Sequence, residues 1–144
     1  MRLEFEFFGD VEIARHFDRA IDAASDCAPA FNEMADDLAN LEERRFASEG
    51  PGWAPLSPAY AARKRPQGPI LTRTGRLRRS LTSRPLGVED IGRHEATFGS
   101  GVEYGVYHQR GTSKMPQRTV VRLTESDRRR WVKYAQKHLF GDGR

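Results

Sequence analysis

The spacing of apolar residues changes twice along this chain, and each change marks a different kind of element. At the start, Leu3, Phe5 and Phe7 alternate with Arg2, Glu4 and Glu6, the period of two that belongs to a half-buried strand. Gly9-Asp10 breaks that pattern. Over about Glu12 to Ala24 the period lengthens to a helical one, with Ile13, Phe17, Ala20 and Ile21 as a single stripe. Pro29 interrupts, and a second helix is predicted over Pro29 to Ser48. There Phe31, Met34, Leu38 and Leu41 recur at helical spacing, with Phe46 near the end. Both stripes read as core.

Regularity then stops. Pro51, Pro55, Pro58, Pro66 and Pro69, with Gly52 and Gly68, prevent a long element between residues 50 and 80. Within it, "SPAYAARK" predicts a short helix with Ser57 as cap and Pro58 in its first turn. "TGRLRRSL" either starts another short helix or leads into a strand. The segments "LTSRPLGVEDIG", "HEATFGS", "EYGVYHQ" and "QRTVVRLT" alternate well enough to predict an antiparallel sheet with glycine-bearing turns. "RGTSKMP" connects the last two of these. A final helix is announced by Thr124-Glu125-Ser126-Asp127, a capping box with Asp in place of the usual Glu. Trp131, Tyr134 and Leu139 form its apolar side, and "GDGR" follows as a frayed end. The expected fold is therefore α+β: an N-terminal strand and helices on an antiparallel sheet, a long proline-rich loop, and a C-terminal helix. One domain spans 1–144, because a chain of 144 residues with 38% apolar side chains supports one core rather than two.

Charge sharpens this outline. Residues 1–50 carry 13 acidic and 5 basic side chains, whereas residues 51–144 carry 7 and 19. The net +4 thus hides an acidic first third and a basic remainder. Three readings fit: the two parts fold against each other, the acidic part meets a basic neighbour, or the basic part meets nucleic acid. The stretch 62–80, with seven Arg or Lys in 19 residues, supports the last as sequence-nonspecific DNA binding. It lacks any recognised reading module. The same guanidinium groups suit carboxylates on a neighbouring subunit. Long loops of this kind usually have a job, so 50–80 is predicted to be a docking segment. Trp53 and Leu56 are either its pins into the core or its anchors in a partner.

Candidate chemistry is sparse. The glycines of "GSGVEYG" precede a strand pattern and lack the lysine of a phosphate cradle. His16, His94, His108 and His138 are scattered, with no metal-ligand spacing. A single cysteine, Cys27, leaves no intrachain disulfide. Ser57, Ser80 and Ser100 have no nucleophile-elbow context, and Glu103 near His108 stands without a supporting group. The pattern argues against an enzyme and implies no cofactor. No apolar run reaches membrane-span length, and the N-terminus lacks a signal-peptide pattern, which fits folding in a cytoplasm.

Four blocks in order carry a resemblance: "RRFASEGPGWAPLSPAYAARKR", "ILTRTGRLRRSL", "FGSGVEYGVYHQRGT" and "MPQRTVVRLTESD". Together they resemble the tail-completion, or virion-morphogenesis, family of tailed bacteriophages over nearly the whole chain. Its signature positions fall here on Trp53, Leu56, Thr74, Gly75, Leu77, Ser80, Tyr104, His108, Gln109, Gly111 and Arg118. One departure is Arg122, where many relatives have a glycine, so the resemblance does not carry over to the turn toward the last helix.

The resemblance implies a non-enzymatic protein of late assembly. It would form a ring at the head-proximal tail end, in the tail or neck of the virion. Implied partners are further copies of the chain and tail-tube or neck proteins, with DNA passing nearby and no membrane. The interface expected from this is Trp53, Leu56, Arg73, Arg76, Arg78, Arg79, Tyr104, His108, Gln109 and Arg118, with the arginines at the joint between subunits.

Overall fold

A computed structural model describes residues 10–141, so the strand expected over Leu3–Phe7 and the tail after Gly141 lie outside the described residues. Six helices and one hairpin follow in order: α1 (Asp10–Ser25), α2 (Ala28–Ala47), α3 (Pro58–Arg63), α4 (Arg76–Thr82), β1 (Val88–Ile91), β2 (Ala96–Gly99), α5 (Gly105–Arg110) and α6 (Glu125–Phe140). The class is α+β. Helix α2 is the hub, packed by α4, α6 and the β1–β2 hairpin, while α1 packs on α6. The strands pair antiparallel from Val88–Gly99 to Ile91–Ala96.

Helical spacing in α2 converts directly into burial. Met34, Leu38 and Phe46 are buried, with Phe31 and Leu41 half-buried on the same side. Two clusters form along this face. Phe46, Trp53, Ile70, Leu77, Leu81 and Val120 make the larger one. Leu38, Ala39 and Leu86, with Phe98, Leu123 and Trp131 against them, make the second under α6. Fully burying a large aliphatic or aromatic side chain stabilises by about 1.5–3 kcal/mol, so these two clusters dominate the favourable side of folding.

The loop is pinned to the first cluster by Trp53. Its ring meets Phe46 edge-on with centroids 5.5 Å apart, and its indole N–H donates to the Thr119 carbonyl at 2.9 Å. Gly50 makes this possible. Its φ is +66°, and an added Cβ would lie 2.0 Å from the indole, so only glycine fits under the ring. Gly111 is equally constrained, with φ +74° and the Gln117 backbone nitrogen 2.9 Å from where a Cβ would stand.

Opposite charges do fold against each other across α2. Arg84 joins Asp36 at 2.7 Å, Arg130 joins Asp37 at 2.8 Å and Arg78 pairs with Glu43, all carboxylates of α2, while Arg84 also meets Glu89 of β1 at 2.6 Å. Glu12, Asp18 and Asp22 of helix α1 take no part in this, since none of them has a salt bridge among the described residues.

The last helix begins as its sequence announces. Thr124 Oγ1 accepts from the Asp127 N–H at 3.2 Å, and Asp127 Oδ2 accepts from the Thr124 N–H at 2.8 Å. Burial alone would raise the Asp127 carboxyl, yet hydrogen bonds from Thr124 and Arg130 hold it down at about 2. Thr124→Ala removes half of this box and is expected to cost about 1–2 kcal/mol of stability, read as a lowered denaturant midpoint at unchanged m-value.

Two expected strands are not strands. Residues 105–110 form α5, and 117–124 run extended without a paired strand among the described residues. The backbone of the second segment is satisfied by side chains instead. Gln109 Oε1 accepts from the N–H groups of Val120 and Val121 at 2.8 and 2.9 Å, and its Nε2 donates to the Val121 carbonyl at 2.8 Å. Arg45 donates to the carbonyls of Val120 and Arg122, and Trp53 covers Thr119. Alternation of apolar residues records which side faces the core, not what supplies the hydrogen bonds. At Arg122, where the resemblance leads one to expect glycine, the carbonyl takes the Arg45 bond, the side chain stays exposed, and Thr124 then opens α6.

Candidate docking surface

The 50–80 segment, α5 and the 114–118 turn enclose a groove of about 780 Å³. Its floor is apolar, from Pro55, Leu56, Pro58, Tyr60, Leu71, Tyr104, Met115 and Pro116. Lys64, Arg73, Lys114, Arg118 and His108 supply the polar lining, and no carboxylate is among the lining residues. A second hollow of about 340 Å³ extends the cationic edge through Arg63 and Arg65.

Each wall is set by local chemistry. Ser57 caps α3, its hydroxyl accepting from the Tyr60 N–H at 3.3 Å, and Pro58 starts the helix. Lys64 is 5% exposed. Its ammonium is spent on the Gly68 and Pro69 carbonyls, which closes the loop behind α3. Arg118, 6% exposed, donates to the Ala54 and Pro55 carbonyls at 2.7 and 3.0 Å. It thus ties the start of the loop to the 114–118 turn. His108 sits against Tyr104, ring centroids 6.2 Å apart. Burial, helped by the nearby Arg118 charge, lowers its pKa, so the ring is neutral at neutral pH. Its Nδ1 is buried without a partner among the described residues.

Of the ten expected interface residues, the structure brings Leu56, Arg73, Tyr104, His108 and Arg118 together around this groove. Trp53 and Gln109 lie beneath it as supports, the first in the core and the second along 120–121. Arg76 and Arg79 are exposed one turn apart on α4, whereas Arg78 turns to Glu43 of α2 and holds that carboxyl below its usual range by hydrogen bonding. Tyr60, Lys64, Leu71 and Met115 belong to the groove and were not singled out in the sequence. Only the proline-rich context and the capped "SPAYAARK" helix hint at the first two.

Elsewhere the polar residues of interest are structural. Ser80 and Ser100 bond each other at 2.6 Å, and Ser80 also donates to the Leu77 carbonyl at 2.8 Å. Among the described residues no cluster of three His, Cys, Asp or Glu is placed to hold a metal, and no helix is long and apolar enough to cross a membrane.

The signature positions Trp53, Gln109, Gly111 and Arg118 thus build one connected support under a groove. No curated protein and no solved structure matches the chain. A family model described as the phage virion morphogenesis family matches residues 9–143 of 144, and the chain belongs to that family.

Proposed function

We propose that this chain is a non-catalytic structural subunit of the tail-completion or head–tail joining apparatus, closing into a ring at the head-proximal end of the tail. Family membership supports a role in phage virion assembly. The finer reading rests on one observation: the subunit carries two unlike, unsatisfied surfaces. One is the carboxylate-free groove. The other is α1, on which every residue from 11 to 19 is exposed, including Ile13 and Phe17 at 57% and 62%. Different surfaces on one subunit make head-to-tail contacts, which generate a ring when the rotation closes. Further copies of the chain and the tail-tube or neck proteins are its partners in this reading, and basic side chains not used between subunits line the path of DNA without reading bases.

Quantitative mass spectrometry of purified virions tests it. A small, fixed copy number per particle is the expected result, and absence of the chain from virions would remove the ring. Arg76 and Arg79 have no carboxylate partner among the described residues, which suits them to the joint between subunits. Arg76→Glu with Arg79→Glu should leave the circular dichroism spectrum unchanged while weakening assembly about tenfold or more. Steeply salt-dependent DNA binding by the parent chain, lost in the same variant, would instead assign these arginines to nucleic acid.

A further inference from the structure

Helix α1 presents a puzzle within a single chain. Ile13, Phe17 and Ile21 repeat every four residues on one side, and they are 57%, 62% and 65% exposed. Among residues 11–25, only Ala20 and Ala23 are partly covered, where α1 leans on α6. The join is fixed by His138, whose Nε2 lies 2.9 Å from the Ala23 carbonyl and 2.8 Å from that of Asp26. The stripe therefore borders the α6 contact but does not enter it. Asp18 and Asp22, one turn apart, flank the stripe on the side away from α6 and form no salt bridge among the described residues.

The groove matches the stripe in apolarity and opposes its flank in charge. It is apolar within and cationic at the edge, and it has no carboxylate of its own. It lies over the cluster around Trp53 and Leu77, while α1 is held on α6. From Ile13 to Ile21 the stripe runs about 12 Å at the helical rise, the scale on which an amphipathic helix lays spaced anchors into a hydrophobic groove.

We propose that α1 of one copy docks in the groove of the next copy. Ile13, Phe17 and Ile21 then pack on Leu56, Leu71, Tyr104 and Met115, and Asp18 and Asp22 face Arg73 and Lys114. This rests on the ring reading and specifies its joint. Charge complementarity selects the occupant. An acidic, apolar-striped helix and a carboxylate-free basic groove on the same chain satisfy each other only between copies. The contact is heterologous, so each copy gives its helix to one neighbour and its groove to the other.

Two full-length variants test the contact, Phe17→Cys and Met115→Cys, each with Cys27→Ser so that one thiol remains. Both sites tolerate change on the surface, since Phe17 is 62% exposed and Met115 is half-buried at the groove. The two are co-expressed during phage growth, and virions are treated with a short bis-maleimide. The expected product is a mixed dimer of the two chains, about tenfold or more above either variant alone. Phe17→Glu should keep the parent's melting temperature and lose incorporation into virions. Three results would overturn the contact. These are a dimer of Phe17→Cys with itself, a cross-link from Phe17→Cys to a different virion protein, and no cross-link while the chain is present at ring copy number. The last would leave the ring standing with another joint, whereas absence of the parent chain from virions would remove the ring itself.

Discussion

Replacing Gln109 by Met is expected to destabilise the chain by about 3–5 kcal/mol, a large share of a typical domain's total stability. The thioether keeps the length and apolar bulk of the side chain, so what disappears is hydrogen bonding. Two backbone N–H groups, of Val120 and Val121, lose the Oε1 acceptor, and the Val121 carbonyl loses the Nε2 donor. Val120 is 2% exposed, so water cannot readily take over, and each buried orphan costs about 1–3 kcal/mol. Because the extended segment has no strand beside it among the described residues, no neighbouring backbone can shift in to repair the ladder. Chemical denaturation is the direct measurement. A midpoint within about 1 kcal/mol of the parent's would mean that the segment finds other partners.

Arg45→Met should be comparably severe, at about 3–5 kcal/mol near pH 8, because it leaves a buried carboxylate uncompensated. Glu42 is fully buried, and Arg45 is the only cation paired with it among the described residues. The same guanidinium also serves the Val120 and Arg122 carbonyls, so its loss opens the extended segment from the other side. Burial pushes the Glu42 carboxyl up from 4.5 to about 7 against the pull of Arg45. With the folded value above the unfolded one, the folded chain keeps a proton that the unfolded chain releases. Stability from this group is therefore greatest below about pH 4.5 and falls as pH rises toward 7, by about 3 kcal/mol in all. Glu42→Gln should remove that slope, seen as denaturation midpoints that no longer decline between pH 5 and pH 7. In Arg45→Met the decline should extend to pH values above 7 at about the same slope, since nothing then opposes the burial and one group changes the slope by at most one proton. An unchanged slope in the Gln variant would show that another group carries the pH dependence.

These two variants address the part of the molecule least legible in its sequence. The apolar stripe of α2, the Ser57 cap and the Thr124–Asp127 box are read from residues within one or two turns of each other, and they stand in the structure much as read. Helix α1 was equally legible as a helix, but not its exposure. Its stripe looks like any core-facing stripe, and only the exposure of Ile13, Phe17 and Ile21, with no element packed over them among the described residues, reveals otherwise. The family, too, was legible, because its signature falls on positions with narrow requirements, such as Gly111 with its positive φ and Arg118 bonded to two loop carbonyls.

Periodicity, caps and turn residues are short-range physics, and the sequence by itself determined the helices at the two ends, the irregular loop between them and the split of charge. The tertiary structure decided the rest. It made a helix of 105–110, gave the 117–123 backbone to Gln109, Arg45 and Trp53, and gathered Leu56, Arg73, Tyr104 and Met115 around one groove. Each of those outcomes depends on partners brought together from distant positions, up to 77 residues apart for Arg45 and Arg122. No local pattern encodes such a pairing, because a buried backbone group requires a partner without specifying which side chain provides it.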